Sequence, residues 1–230
     1  MATSWRAGFL ARGFLRVLRG YLGAGTAGRG RRVADRESLQ DFLTSRSSHV
    51  AQTALYGYLK TRAGTRFPEL FADDQILRSI NVAKWQVWLA CLSDLSIYAG
   101  GLIVQRSQAP VAAVGCLMST AVEAVLTQTG VPDEAGREFA HEADRLRSRL
   151  RTCDWSSVQD GGTPFSESPA ALVRWAPVVD EFKRLDEEIV RNSVRFRWQE
   201  VRRDLRRDLD AEAVMASAKE ASSRLSGDDA

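Results

Sequence analysis

Few residues in this chain have the type and spacing that chemistry requires. There is no GxSxG elbow, HExxH, P-loop or GxGxxG in the sequence, and it holds only two histidines, His49 and His141. Glu138 and His141 form an ExxH pair of the kind used by di-iron bundles, but such a site needs a second pair, and Arg46 stands three residues before His49. Neither a metal nor a cofactor is therefore expected. The acid that stands out is Asp94, in an otherwise apolar stretch with Cys91 one turn before it and Tyr98 one turn after. A carboxylate in such surroundings must be paired, hydrogen-bonded or protonated. Two readings follow: a general base or ligand contact in a pocket that Tyr98 and Val87 help to line, with His49 as a further catalytic candidate, or, favoured, a structural Asp held by an arginine from the last helix.

A second constellation lies near the C-terminus. At helical spacing Arg191, Arg195, Arg202 and Arg206 fall within about 60° of one another, with Gln199 beside them. This edge could hold phosphates or an acidic partner. The competing reading is a solvated face of locally paired arginines, such as Arg191 with Glu187, and it is the favoured one.

Positioning these residues is a matter for helices. Apolar residues recur at helical spacing throughout, and no stretch reads as a strand, so the fold class is all-α: a single-domain multi-helix bundle. Asp35 is placed to cap a helix over 37–61, and Pro68 opens a turn through Phe71. A long helix from Asp73 or Asp74 to about Val104 contains the most apolar run in the chain, 82–104. That run could span a bilayer by length, but Lys84 and Asp94 would be costly in lipid, so it reads as the central core helix. Further helices are expected over 111–128, from Pro132 with Phe139, Ala143, Leu146 and Leu150 inward, and over 168–175. Residues 153–168 read as a loop pinned by Trp155 and Phe165. The last helix, from Pro177 to about Ala218, should be the longest. Its apolar stripe begins as Val178, Phe182, Leu185 and Ile189, then continues as Val190, Val194, Trp198, Val201, Leu205 and Leu209, rotated by roughly 160°. Such a helix either touches two surfaces or bends near Asn192, and its latter half is a candidate for self-association.

The net charge of +3 conceals an asymmetry. Residues 1–34 carry seven Arg and no acid, leaving 25 basic and 29 acidic side chains in the remainder, a balance of −4. That profile disfavours general nucleic-acid binding. As a helix, the leader places Arg12, Arg16 and Arg19 on one side and Leu10, Phe14, Val17 and Leu18 on the other, with Trp5 within the arginine face and Phe9 at its border. This is the pattern of a helix lying on an anionic membrane surface; the alternatives are an organellar transit peptide, a disordered tail or an upstream extension from a misassigned start. The expected organisation is thus 1–34 leader and linker, 35–215 helical domain and 216–230 polar tail. Cys91, Cys116 and Cys153 contain no CxxC; the first two sit in apolar helical runs as core thiols, which suits a reducing, cytoplasmic location at the inner face of the membrane.

Residues 47–101 (SSHVAQTALYGYLKTRAGTRFPELF…INVAKWQVWLACLSDLSIYAGG) together with 187–209 (EEIVRNSVRFRWQEVRRDLRRDL) resemble a family of uncharacterised bacterial proteins, some of which carry the label esterase. The resemblance implies a bacterial cytoplasmic protein. It transfers no catalytic residue, since Ser93-Asp94-Leu95-Ser96 lacks the glycine and the order of a GDSL motif. The sequence thus supports three functions: a non-enzymatic interaction or scaffold protein at the membrane, an esterase-type hydrolase with a non-standard site, or a small-ligand or nucleic-acid-binding helical module.

Overall fold

In the computed structural model, which describes residues 31–227, seven α-helices follow one another with two short 3₁₀ segments: α1 (Arg36–Ala63), the 3₁₀ segment Gly64–Phe71, α2 (Asp74–Arg106), α3 (Val111–Thr129), the 3₁₀ segment Asp133–Ala135, α4 (Glu138–Thr152), α5 (Glu167–Trp175), α6 (Asp180–Asp208) and α7 (Ala211–Gly227). There is no strand among the described residues, so the all-α expectation holds. The leader residues Trp5, Phe9, Arg12, Phe14, Arg16 and Arg19 lie outside the described residues.

Local chemistry sets several of the helix ends. Asp35 caps α1 by accepting from the Ser38 amide at 2.7 Å, while the Ser38 hydroxyl accepts from the Asp35 amide at 3.1 Å. This closes a reciprocal box over otherwise unpaired donors. Asp73 does the same work for α2 through the amides of Gln75 and Ile76. Gly64, with φ of 55°, and Gly130, with φ of 66°, end α1 and α3 in a conformation that glycine adopts without a Cβ penalty.

α2 is the centre of the bundle, packed by α1, α3, α4 and α5. Every residue from Cys91 to Ile103 is buried, which is why this stretch reads as apolar on all faces rather than along one stripe. By length and composition both α2 and α3 could cross a bilayer; 89% of the apolar window of α2 lies inside the protein, against 39% for α3. Lys84, the other charge in the apolar run 82–104, is paired with Glu134. Of the cysteines, Cys91 is buried as expected, but Cys116 is exposed because it falls on the outer side of α3, opposite Val114, Leu117 and Met118.

Several expectations about the last long helix and the edges of the domain are corrected. The last long helix begins at Asp180, not Pro177, because Ala176 and Val179 are held extended (ψ of 131° and 138°), the former by the proline that follows it. It ends at Asp208, where Leu209 turns extended and a new cap begins: Asp210 accepts from the Ala213 amide at 3.1 Å and starts α7. At 29 residues α6 is shorter than α2, at 33. α7 also runs through the segment read as a polar tail, and Val33, placed in the linker, is 1% exposed and bridges the α6–α7 junction. Its amide donates to the Asp208 carbonyl and its carbonyl accepts from the Asp210 amide, both at 2.9 Å.

α6 is uninterrupted through Asn192, so its two stripes face two surfaces. Val190, Val194, Trp198, Val201, Leu205 and Leu209 are buried in the protein's own core, which corrects the expectation that the latter half packs on a partner. The earlier stripe is the one left outside: Phe182 is 44% exposed, Leu185 71% and Ile189 73%, joined by Phe196 at 71%.

Candidate functional site

Asp94 is fully buried, and its two oxygens accept four hydrogen bonds. Oδ1 takes Arg149 Nη1 at 2.7 Å and the Glu167 amide at 3.1 Å; Oδ2 takes the Ser168 amide at 2.8 Å and the Ser168 hydroxyl at 2.7 Å. The carboxylate sits at the N-terminus of α5, which lacks a cap from its own Ser166, and supplies that cap from α2. Trp198 of α6 extends the chain by donating its indole N–H to Ser168 Oγ at 3.0 Å. Arg149 also donates to Ser93 Oγ and to the Pro164 carbonyl. One carboxylate therefore ties α2, α4, α5 and, through Ser168, α6.

The expected arginine partner of Asp94 exists, but it is Arg149 from α4 and not an arginine of the last helix. Burial pushes the Asp94 carboxyl above its ordinary value, while Arg149 and the Ser168 donors pull the other way. Cys91 is raised well above the usual thiol by burial, with the Asp94 charge adding to it, so it is no nucleophile at neutral pH.

Neither of the other candidate catalytic side chains is among the four donors to Asp94. Tyr98 donates its hydroxyl to Asp160 Oδ1 at 2.8 Å, and its ring packs 5.2 Å from that of Phe165, itself stacked on Trp198 at 4.7 Å. His49 is on α1, where its backbone carbonyl accepts from Thr53, and it is not among the partners of Asp94. His141 is exposed, and no cluster of metal-ligating side chains occurs among the described residues.

The arginine edge of α6 is mostly engaged within the protein. Arg202 and Arg206 reach Asp160 Oδ1 at 3.3 and 3.2 Å, and Arg202 lies over the Tyr98 ring at 5.5 Å. Burial works to raise the Asp160 carboxyl, but donors from Tyr98 and Arg202 and the charge of Arg206 outweigh it and hold the carboxyl below its ordinary value. Arg191 pairs with Glu187, as the local reading predicts, at 2.7 Å. Only Arg195, bonded to Asn192, and Gln199 stand in solvent without a charged partner from this set. Asp160 is the residue the sequence reading missed, because it comes from a loop 42 positions before Arg202 and no spacing rule connects them.

What seats that loop is a glycine pair in α2. A Cβ on Gly100 would stand 2.2 Å from Trp155 Cζ3, and one on Gly101 would stand 2.3 Å from Val158 Cγ1. The only sequence signal is two adjacent glycines in an apolar helix, where they otherwise weaken it.

A cleft of about 500 Å³ opens beside Arg149, with Glu142, Arg145, Glu167, Arg174 and Trp175 around it. Its charges cancel: Arg145 meets Glu142 at 2.9 Å and Glu167 at 3.4 Å, Arg174 meets Glu142 at 3.5 Å, and Arg149 holds Asp94. A second feature of the surface is apolar. Along α6, Val179 (65% exposed), Phe182, Leu185, Ile189 and Phe196 form a ridge pointing away from the core. No family model, curated protein or solved structure matches the chain, so no relative assigns a role to any residue described above.

Proposed function

We propose that this is a non-enzymatic helical interaction or scaffold protein, held at an anionic membrane surface by its cationic leader and meeting its partner through the outer ridge of α6. The observation that carries this reading is the contrast between two sets of side chains. Asp94 has every strong acceptor position filled and no exposed surface, and Tyr98, Arg202 and Arg206 share one carboxylate. A hydrolase would need at least one of these groups free to meet a substrate. Meanwhile large apolar side chains of a single helix stand in solvent, and contiguous apolar surface of this kind marks contact sites. Arg195 beside the ridge adds a charged rim suited to an acidic partner.

The test is site-specific photo-cross-linking in cells. A photoreactive residue at Leu185 or Ile189 is expected to give discrete higher-mass products. The same residue at Val131, which is 70% exposed but isolated from the ridge, is expected to give none. Equal labelling at the two places would remove the ridge as a contact surface.

A further inference from the structure

Resting on the ridge being a contact surface, we infer that its occupant is a second copy of the same helix, docked antiparallel. One row of exposed positions on α6 runs Phe182, Leu185, Ile189, Asn192, Phe196, Gln199 and Arg203, at alternating steps of three and four. That is the a/d seam of a two-helix coiled coil, here turned away from the domain that carries it. The buried residues Val190, Val194, Val201 and Leu205 occupy the opposite side of the helix, so the seam is free of its own core.

The charges beside the seam choose the orientation. Glu188 and Arg195, both exposed, occupy successive positions of the same flank, seven residues apart. In a parallel pair each would meet the seam's other flank. In an antiparallel pair, the layer that sets Phe196 against the partner's Leu185 also sets Ile189 against the partner's Asn192. That register brings Glu188 beside the partner's Arg195 and, by the two-fold axis, Arg195 beside the partner's Glu188. Two opposite-charge contacts thus follow from the register that sets Phe196 against the partner's Leu185. Asn192 near the axis gives each copy a polar group at one layer, which fixes register at some cost in affinity. With fewer apolar side chains than a standard interface uses, the dimer should be weak, with a Kd on the order of 10–100 µM.

The experiment is sedimentation equilibrium on the full chain up to about 200 µM, with helix content checked by circular dichroism. Wild type should dimerise. Glu188→Arg alone places Arg against Arg, and Arg195→Glu alone places Glu against Glu, so each should weaken the dimer about ten-fold or more. The double variant should dimerise like wild type. An equimolar mixture of the two single variants should form heterodimers in preference to either homodimer. A wild type monomeric throughout, or single variants that dimerise unchanged, would overturn the inference. A monomeric wild type that still cross-links at Ile189 to a different protein overturns the second copy and leaves the interaction reading standing. Absence of both overturns both.

Discussion

Arg149 is a residue at which a single change is costly. Its guanidinium, a quarter exposed, neutralises a carboxylate that has no contact with water. Replacing it with Met keeps the aliphatic packing and leaves Asp94 buried without its cation. Breaking a buried pair on one side costs about 3 kcal/mol or more. The sign with pH follows from which form is then penalised. Burial already raises the Asp94 carboxyl, and loss of Arg149 raises it further. A carboxyl raised in the folded state contributes stability below its unfolded value and loses it as pH rises through its folded value. The deficit of Arg149→Met relative to wild type should therefore be largest near neutrality and shrink as pH falls toward about 4. Adding Asp94→Asn to the same chain should cost less than the two single changes together. Urea unfolding of the four chains measures this; a deficit that does not vary with pH would refute it. That Asp94 needed a partner was legible from its type in an apolar helix. Which partner was not, because the bond joins two helices 55 residues apart and spacing along one helix says nothing about the next.

At the scale of elements, the caps were readable and the junctions were not. Asp35 and Asp73 announce their helices because a short acceptor before an apolar run has one local use. Asp210 has the same chemistry, but it follows directly on a charged helical run, so the break at Leu209 is set by the bridge to Val33, a contact from the far end of the chain. The glycine pair of α2 illustrates the same limit and yields a contrast. Glycine to alanine inside a helix normally stabilises by about 0.5–1 kcal/mol. At Gly57 of α1 the new methyl would meet only the end of a flexible side chain, Arg197 Nη2 at 3.2 Å, so Gly57→Ala should be neutral or stabilising. At Gly100 it would stand 2.2 Å from the Trp155 ring, and the loop must move. Gly100→Ala should cost about 2 kcal/mol and alter tryptophan emission. If both substitutions shift the denaturation midpoint equally, the glycine pair is not what seats the loop.

Among the described residues, the molecule is a bundle in which the segment before α1 meets the α6–α7 junction. Val33 lies 1% exposed against the α6–α7 junction with two backbone hydrogen bonds, and the Arg32 side chain reaches Asp210. Composition alone placed these residues in a basic linker, since nothing about an isolated valine between arginines and alanine predicts a bridge to a position 176 residues later. The bridge decides how the membrane reading must be tested. Removing residues 1–34 deletes Val33 and leaves the Asp208 carbonyl and the Asp210 amide without their partner, together with a cavity where the side chain sat. That loss should cost about 2–3 kcal/mol, combining an Ala-sized or larger packing defect with two unmade hydrogen bonds. Removing residues 1–30 spares all of it and should leave the thermal midpoint unchanged. Only the shorter truncation therefore isolates the leader. On vesicles containing about 30% anionic lipid, the full chain should float and the chain lacking residues 1–30 should remain in solution, with added salt releasing the former. Equal recovery of both would remove the membrane from the proposal while leaving the α6 ridge untouched, and an equal thermal midpoint for both truncations would show that the Val33 bridge contributes nothing to the fold.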